Sequence, residues 1–393
     1  MAISARESLF LHLSITRPAT RKRTGTLANI SCNPERVPMR VALVSSPFLA
    51  VPPRKYGGTE LFIAQLAEGL KNSGIDVVVY ANGESTVGVE TRWLYKSQHW
   101  PLSGEVFDNL KDFNHASWAV ADAAADCDVI HLNSVSGLMF TRFVQSKFVY
   151  TMHHVHEDPL SAIYRFFPSV EFVTISEFQR RHESMRRMRN IHHGVDLKAY
   201  RARSGKRDYL SFLGRIAPIK GTHIAIDVAK KSGIPLKIAG EVQPQFKPYF
   251  DAEIKPHIDG RFIEYVGEVD LAGKNELLGN SLALLFPIQW NEPFGLVMIE
   301  AMACGAPVLA LPGGAVEEIV CDGISGYVCS SADEMAQRAR ELPGSFTPAN
   351  VRQYCQQYFS LDRMVAEYVA LYQELADEDT PLGKATSELP MIA

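Results

Sequence analysis

The feature that most constrains this chain is a repeated alternation of short runs rich in Val, Leu, Ile and Ala with loops and amphipathic helical patterns. Met39–Ser46 (MRVALVSS) is such a run, suited to a strand buried on both faces. A Pro/Gly loop follows from Pro47 to Gly58. Thr59 to Ser73 then reads as a helix, because Phe62, Leu66 and Leu70 recur at helical spacing before Gly74. Ile75–Tyr80, Asp128–Leu132, Phe148–Met152 and Glu171–Ile175 are further strand candidates. Ser176 can cap the next helix, with Gln179 in capping-box position. Such alternation predicts a parallel sheet with right-handed crossovers, a doubly wound α/β domain.

The second half restarts the programme. Asp196 to Arg207 is polar, charged and aperiodic, and reads as a linker. Tyr209–Leu213, Leu236–Ile238, Phe262–Val266, Leu282–Phe286 and Pro307–Ala310 are strand candidates, separated by helices centred near residues 227, 275 and 299. In Leu361–Leu375, Met364, Val365, Tyr368, Leu371, Tyr372 and Leu375 fall on one helical stripe. At 393 residues the chain is too long for one ordinary core. Two doubly wound (Rossmann-like) α/β domains facing a cleft are therefore expected, with ligands at the carboxyl ends of the strands. The expected divisions are an N-terminal extension over 1–38 and a first domain over 39–200. A second domain over 201–345, returning helices over 346–376 and a disordered tail over 377–393 complete the chain.

Composition narrows the function classes. Forty basic against forty-four acidic side chains give a net charge of −4, without the basic surplus of a nucleic-acid binder. No uncharged apolar stretch approaches the ~20 residues of a membrane span; Leu296–Leu311 is interrupted by Glu300, Gly305 and Pro307. The six cysteines form no Cys-x-x-Cys pair and read as reduced thiols of a cytoplasmic protein. The first 38 residues carry six basic and two acidic side chains. That composition suits a transit peptide, a disordered extension or an over-long start preceding Met39; the last two are preferred and the segment is set aside.

Three loops at strand ends carry candidate chemistry. Gly57 and Gly58, in Tyr56-Gly57-Gly58-Thr59, let a ligand approach the backbone at a helix start that favours anions; an ordinary flexible turn is the competing reading. Arg215 and Lys220, in Gly214-Arg215 and Lys220-Gly221, suit two phosphates, or else are solvated surface charge. Asn291 to Glu300 opens a helix with Glu292 at its mouth and the amides of Phe294, Gly295 and Leu296 aimed at an anion. Glu300 lies inside an apolar run, where an acid is costly unless paired.

Together, YGGTE, FLGRIAPIKG and NEPFGLVMIEAMACGAPVLA resemble family 4 retaining glycosyltransferases with the GT-B fold, from Met39 to about Leu375. The resemblance implies that Arg215 and Lys220 hold the donor diphosphate and stabilise the leaving nucleoside diphosphate. It places Glu292 near the donor sugar, Glu300 on the ribose and Gly57 and Gly58 in a loop closing over the phosphates and acceptor. His153 matches a histidine close to the transferred sugar. Gly313-Gly314 with Glu317 and Glu318 matches a further loop of less defined role. The final helix matches one that braces the first domain. His131-Leu132-Asn133 departs from the family's common form, with Asn where a second histidine often stands; Asn133 is unassigned.

Fixed cations and helix amides can stabilise a departing diphosphate without a metal. Two patterns compete with that reading. Asp126-Cys127-Asp128 fits a metal-binding Asp-x-Asp but precedes a strand. His153-His154-Val155-His156, with His131, His192 and His193, invites a zinc site but has no His-Glu-x-x-His spacing. Arg180, Arg181, Arg186, Arg187 and Arg189 make the helix after Ser176 basic, suited either to peripheral docking on an anionic membrane or to a solvated face. The expectation is thus a cytoplasmic, cofactor-free retaining transferase of carbohydrate biosynthesis. It would use a nucleotide-sugar donor and an acceptor that is a glycan, lipid carrier or small molecule. A nucleotide-sugar epimerase of the same fold and a non-catalytic sugar-nucleotide binder are the alternatives.

Overall fold

The computed structural model describes residues 39–378 except 55, 56, 101, 103, 105 and 204; the expected extension over 1–38, and the tail beyond 378, lie outside them. Arg40–Val44 (β1), Asp76–Ala81 (β2), Glu90–Trp93 (β3), Val129–Leu132 (β4), Lys147–Met152 (β5), Glu171–Thr174 (β6) and Met188–Asn190 (β7) form one parallel sheet, ordered β3-β2-β1-β4-β5-β6-β7. Tyr209–Leu213 (β8), Leu236–Ala239 (β9), Ile263–Gly267 (β10), Ser281–Phe286 (β11), Val308–Ala310 (β12) and Gly326–Val328 (β13) form a second, ordered β10-β9-β8-β11-β12-β13. Parallel neighbours require crossovers, and the helices in those crossovers cover both faces of each sheet. Hence β4 and β8 are buried along their whole length.

Strand order reverses between β1 and β4 in the first sheet and between β8 and β11 in the second. At such points consecutive connections leave towards opposite faces and open a crevice at the carboxyl ends. The apolar runs read from the sequence become strands. The unforeseen strands are β3, β7 and β13, all at sheet edges. Partnered on one side only, β3 (ETRW) and β7 (MRN) lack the continuous apolar run of a central strand.

Two further expectations change. The segment read as a linker is tied down: Tyr200 is buried, and Arg352 donates to the carbonyls of Leu197, Tyr200 and Ala303. The helix after Ser176 ends at His182, so the five arginines share no helical face. Arg187 and Arg189 instead grip the buried Glu171 at 3.1 and 2.8 Å and reach Glu378 and Glu374. Among the five, Arg180, Arg187 and Arg189 are thus held in ion pairs. The capping-box reading holds in part: Ser176 Oγ accepts from Gln179 N at 3.0 Å, while Gln179 Oε1 accepts from Ile175 N.

The chain finishes with helices Pro348–Phe359 and Leu361–Asp377. Between them Val195 and Ser360 form a bridge, with Val195 N donating to Phe359 O and Leu361 N to Val195 O. The last helix then buries its stripe in the first half's core, beside Phe62, Leu66 and Leu70. A polar chain runs through this contact. Tyr372 Oη lies 2.6 Å from His131 Nδ1, His131 Nε2 lies 2.7 Å from Thr151 Oγ1, and Thr151 Oγ1 lies 2.9 Å from Tyr368 Oη. The helix runs past the start of the expected tail: Asp377 ends it, and the carbonyl of Glu378 accepts from Lys147 Nζ.

Leu371→Ala should cost about 2–5 kcal/mol through the cavity it leaves, read as a lowered melting temperature. Burial holds the His131 imidazole down at about 3, so this ring is neutral when folded. Its unfolded counterpart takes up a proton below about 6.5, so the stability it contributes is present above that pH and lost as pH falls towards 3. Urea melts should lose up to about 1.4 kcal/mol per pH unit through this group, and His131→Gln should flatten that slope.

Candidate active site

A cleft of about 700 Å³ opens where the carboxyl ends of the two sheets face each other. Gly57, Gly58 and His153 line it from the first half; Arg215, Lys220, Glu292, Phe294, Gly295, Leu296 and Glu300 line it from the second. The structure therefore brings the glycine pair, His153, the two cations, the two glutamates and the Phe294–Leu296 segment to one cleft, while Gly313, Gly314, Glu317 and Glu318 lie outside its lining. The walls come close: a β-carbon built on Gly58 would lie 3.5 Å from Leu296 Cδ1.

The second-half wall is built by the two loops at its switch point. Gly214 and Arg215 leave β8, and Lys220 ends a 3₁₀ turn, Pro218–Lys220. The loop leaving β11 carries Trp290 and Glu292, and Gln289 N donates to Ile219 O at 2.8 Å, tying the loops together. Across this joint Lys220 Nζ meets Glu292 Oε2 at 2.5 Å, Trp290 Nε1 donates to the same oxygen at 3.0 Å, and the ammonium lies 4.6 Å from the Trp290 ring centroid. Glu292 precedes its helix, Leu296–Ala303, by a loop, so it opposes Lys220 rather than standing at the helix mouth. Gly313 and Gly314 support that loop. Gly314 has φ +62°, and a β-carbon there would strike the Glu292 backbone, whose carbonyl accepts from Ala315 N.

Arg215 is freer than Lys220. Its Nη1 reaches Gln243 Oε1 only at 3.4 Å, its guanidinium lies over Phe246, and among the described residues no carboxylate pairs with it. Its Nε is buried without a partner among them. Glu300 resolves the buried-acid problem in part. Lys274 Nζ and Tyr200 Oη both reach its Oε1 at 2.7 Å, while Oε2 is buried with no partner among the described residues. Burial and this carboxylate push the Tyr200 hydroxyl well above its usual range, so it stays a donor.

On the first-half wall, Gly57 precedes helix Gly58–Asn72 with φ +146°, and a β-carbon there would meet Pro53 and the Glu60 carboxylate. Burial raises that carboxylate's pKa. His153, at the exit of β5, stacks on His193 (5.7 Å, 6°) and meets the edge of Phe62 at 5.0 Å. His193 in turn contacts Phe294 of the opposite half at 5.1 Å, so an aromatic column crosses the back of the cleft. Burial, with His193, His131 and His154 nearby, holds His153 well below its ordinary value; it is neutral.

The competing metal readings do not assemble. Asp126 pairs with Arg92 and Arg40, and Asp128 accepts from Arg40 N, before β4 rather than at its carboxyl end. His154 turns to Tyr164 and His156 to Glu183. Among the described residues no group of three His, Cys, Asp or Glu could hold a metal.

Sequence reasoning missed Trp290, Lys274 and Tyr200, which act on the two glutamates, and the role of Glu318. Tyr200 sits in the supposed linker, and a lone Trp or Lys carries no spacing signal. Glu317 is exposed, whereas Glu318 reaches across the halves: its carboxylate accepts from Glu177 N (2.8 Å) and Phe178 N (3.1 Å) and meets His192 Nε2 at 3.1 Å. His192 and these amides hold the Glu318 pKa down against its burial. Glu318→Ala removes the acceptor from two helix-opening amides, so Glu177 and Phe178 should exchange hydrogen faster; the stability lost should be about 0.5–2 kcal/mol.

Comparison with known proteins supplies the family. The model "Glycosyltransferase Family 4" matches residues 56–199 and "Glycosyl transferases group 1" matches 197–342. Spore coat protein SA of Bacillus subtilis is 22% identical over 86% of this chain and its own entire length. D-inositol 3-phosphate glycosyltransferase of Mycobacterium marinum is 30% identical over 36% of this chain, which spans 34% of that relative. An uncharacterized glycosyltransferase of Methanocaldococcus jannaschii is 26% identical, with 54% of its length spanned. Among solved structures, AviGT4, a glycosyltransferase involved in avilamycin A biosynthesis, superposes with TM-score 0.68 at 25% identity, over 87% of this chain and 99% of its own. Sucrose-phosphate synthase of Thermosynechococcus elongatus gives 0.72 at 19% over 86% and 99%, and Anabaena HepE, solved with UDP and glucose, 0.69 at 16% over 86% and 100%. Among the described residues no helix is long and apolar enough to cross a membrane. With two facing parallel sheets and family matches over consecutive stretches of both halves, the chain belongs to the family 4 glycosyltransferases of the GT-B fold.

Proposed function

We propose that this chain moves a hexose-type sugar from a nucleoside-diphosphate donor to an acceptor hydroxyl, with retention of configuration and with the chain's own cations in place of a metal. The observation that carries the reading is the division of labour along the second-half wall. Among the described residues Arg215 stands without a carboxylate partner, Lys220 follows five residues on in the same loop, and about one turn into helix Leu296–Ala303 Glu300 keeps one carboxylate oxygen unmatched. Cations suit a diphosphate, and an unmatched acceptor suits the hydroxyls of a ribose. The amides opening Leu296–Ala303 add positive potential where the diphosphate would lie. Bound UDP and glucose in HepE, a chain of the same fold, support this assignment.

In the reaction the bond between the anomeric carbon and the diphosphate oxygen breaks, and a bond to the acceptor oxygen forms on the same face. The acceptor's proton passes to the departing diphosphate. Charge developing on that leaving group meets Arg215 and Lys220; one such contact is worth about 3–4 kcal/mol. His153 and Glu292 stand nearest the sugar, and Gly57 and Gly58 let the first half approach the phosphates.

Arg215→Ala should weaken UDP binding in calorimetry and lower turnover by about 10²–10³. Glu292→Gln should lower turnover while leaving UDP affinity largely intact. Exchanged phenotypes would overturn these roles. A thermal-shift panel of sugar nucleotides would identify the donor, since a ligand at 100 times its Kd adds about 2.7 kcal/mol.

A further inference from the structure

Asn133 leaves β4 beside the end of β1, at the switch point of the first sheet, and its backbone N donates to Val44 O at 3.0 Å. Its side chain spans from that same carbonyl to His153. Nδ2 lies 3.3 Å from Val44 O, and Oδ1 lies 2.9 Å from His153 Nε2. A carbonyl oxygen only accepts, so the amide NH₂ must face Val44 and the amide oxygen must face the ring. An amide oxygen also only accepts, so His153 Nε2 must carry the proton. In a neutral imidazole the other nitrogen is then a bare acceptor. Nδ1 of His153 has no partner among the described residues, and the ring lines the cleft, clamped between Phe62 and His193.

We propose that Asn133 is a positioning residue that fixes His153 as the Nε2–H tautomer, and that Nδ1 selects donors bearing a hydroxyl where the sugar faces this ring. The inference rests on the transferase reading above for its sugar-selecting half; the tautomer half stands on the ligand-free geometry. A ring free to switch tautomers or to protonate could offer a donor as readily as an acceptor. The Val44 carbonyl removes the first freedom, and burial with His193, His131 and His154 opposes the second. A sugar lacking the matching hydroxyl would leave Nδ1 desolvated and unpaired, which costs about tenfold or more in turnover.

The test has three readouts. Nitrogen-15 NMR of the ligand-free protein, with His153 assigned by His153→Gln, should show Nε2 protonated and Nδ1 bare; a protonated Nδ1 overturns the proposal. Once the donor is found, the protein is assayed with it and with its 2-, 3-, 4- and 6-deoxy analogues. One analogue should be at least tenfold worse in kcat/KM, and Asn133→Leu should cut that discrimination below about threefold while UDP affinity stays unchanged. Equal use of all analogues, or discrimination that survives in Asn133→Leu, overturns it. Asn133→Asp keeps an acceptor against Nε2 and should retain the Nε2–H signature; its loss in that variant also counts against the proposal. Failure of the protein to bind any nucleoside diphosphate would sink the transferase reading and the sugar-selecting half with it, while the NMR result would still decide the tautomer.

Discussion

The last helix belongs by sequence to the second half and by packing to the first, and the geometry of the cleft depends on that exchange. Its apolar stripe supplies part of the first core, and its two tyrosines end on a buried imidazole and threonine hydroxyl. Apolar burial alone would let such a helix slide or rotate; hydrogen bonds to His131 and Thr151 allow one register, because shifting it would strand buried polar groups. The Val195–Ser360 bridge then makes the chain cross between the halves twice at one spot. The two sheets are thereby coupled at a fixed line beside the cleft, rather than tethered by a loose linker.

From that line the walls follow. Each sheet turns its carboxyl ends inward, and each places its switch point at the cleft: Asn133 beside Val44 on one side, Arg215 and Glu292 on the other. The aromatic column Phe62, His153, His193 and Phe294 fills the space behind, and Glu318 ties the halves near the same line. Polar contacts between the halves thus gather at the back of the cleft, leaving the front to the glycine loop and Leu296.

How much of this was legible in the sequence depended on burial. Strands covered on both faces must be apolar throughout, so β1, β4, β5, β8 and β11 could be read directly, whereas the edge strands β3, β7 and β13 carry no such requirement. The site residues were legible because Gly-Gly, Arg-x4-Lys and Glu-x7-Glu each lie on one short segment. Their partners were not, since Lys220–Glu292, Lys274–Glu300 and Tyr200–Glu300 join residues 72, 26 and 100 positions apart. The arginines near 180–189 misled because helical spacing was assumed through a segment that turns extended at Glu183 and pairs with Glu171.

The pairing of Lys220 with Glu292 sets two effects against each other. A carboxylate beside the place proposed for the diphosphate would repel it, but the Lys220 ammonium lies against that carboxylate at 2.5 Å and offsets most of its charge there. The field that remains acts on ground state and transition state alike and is small enough to leave affinity largely intact. The same carboxylate holds the ammonium at one point, with Trp290 fixing the carboxylate in turn, and positioning matters most when charge develops on the leaving group. An acid that leaves affinity largely intact yet sharpens geometry would act on turnover. Arg215, with no such carboxylate among the described residues, is the cation on which the proposed diphosphate affinity would rest.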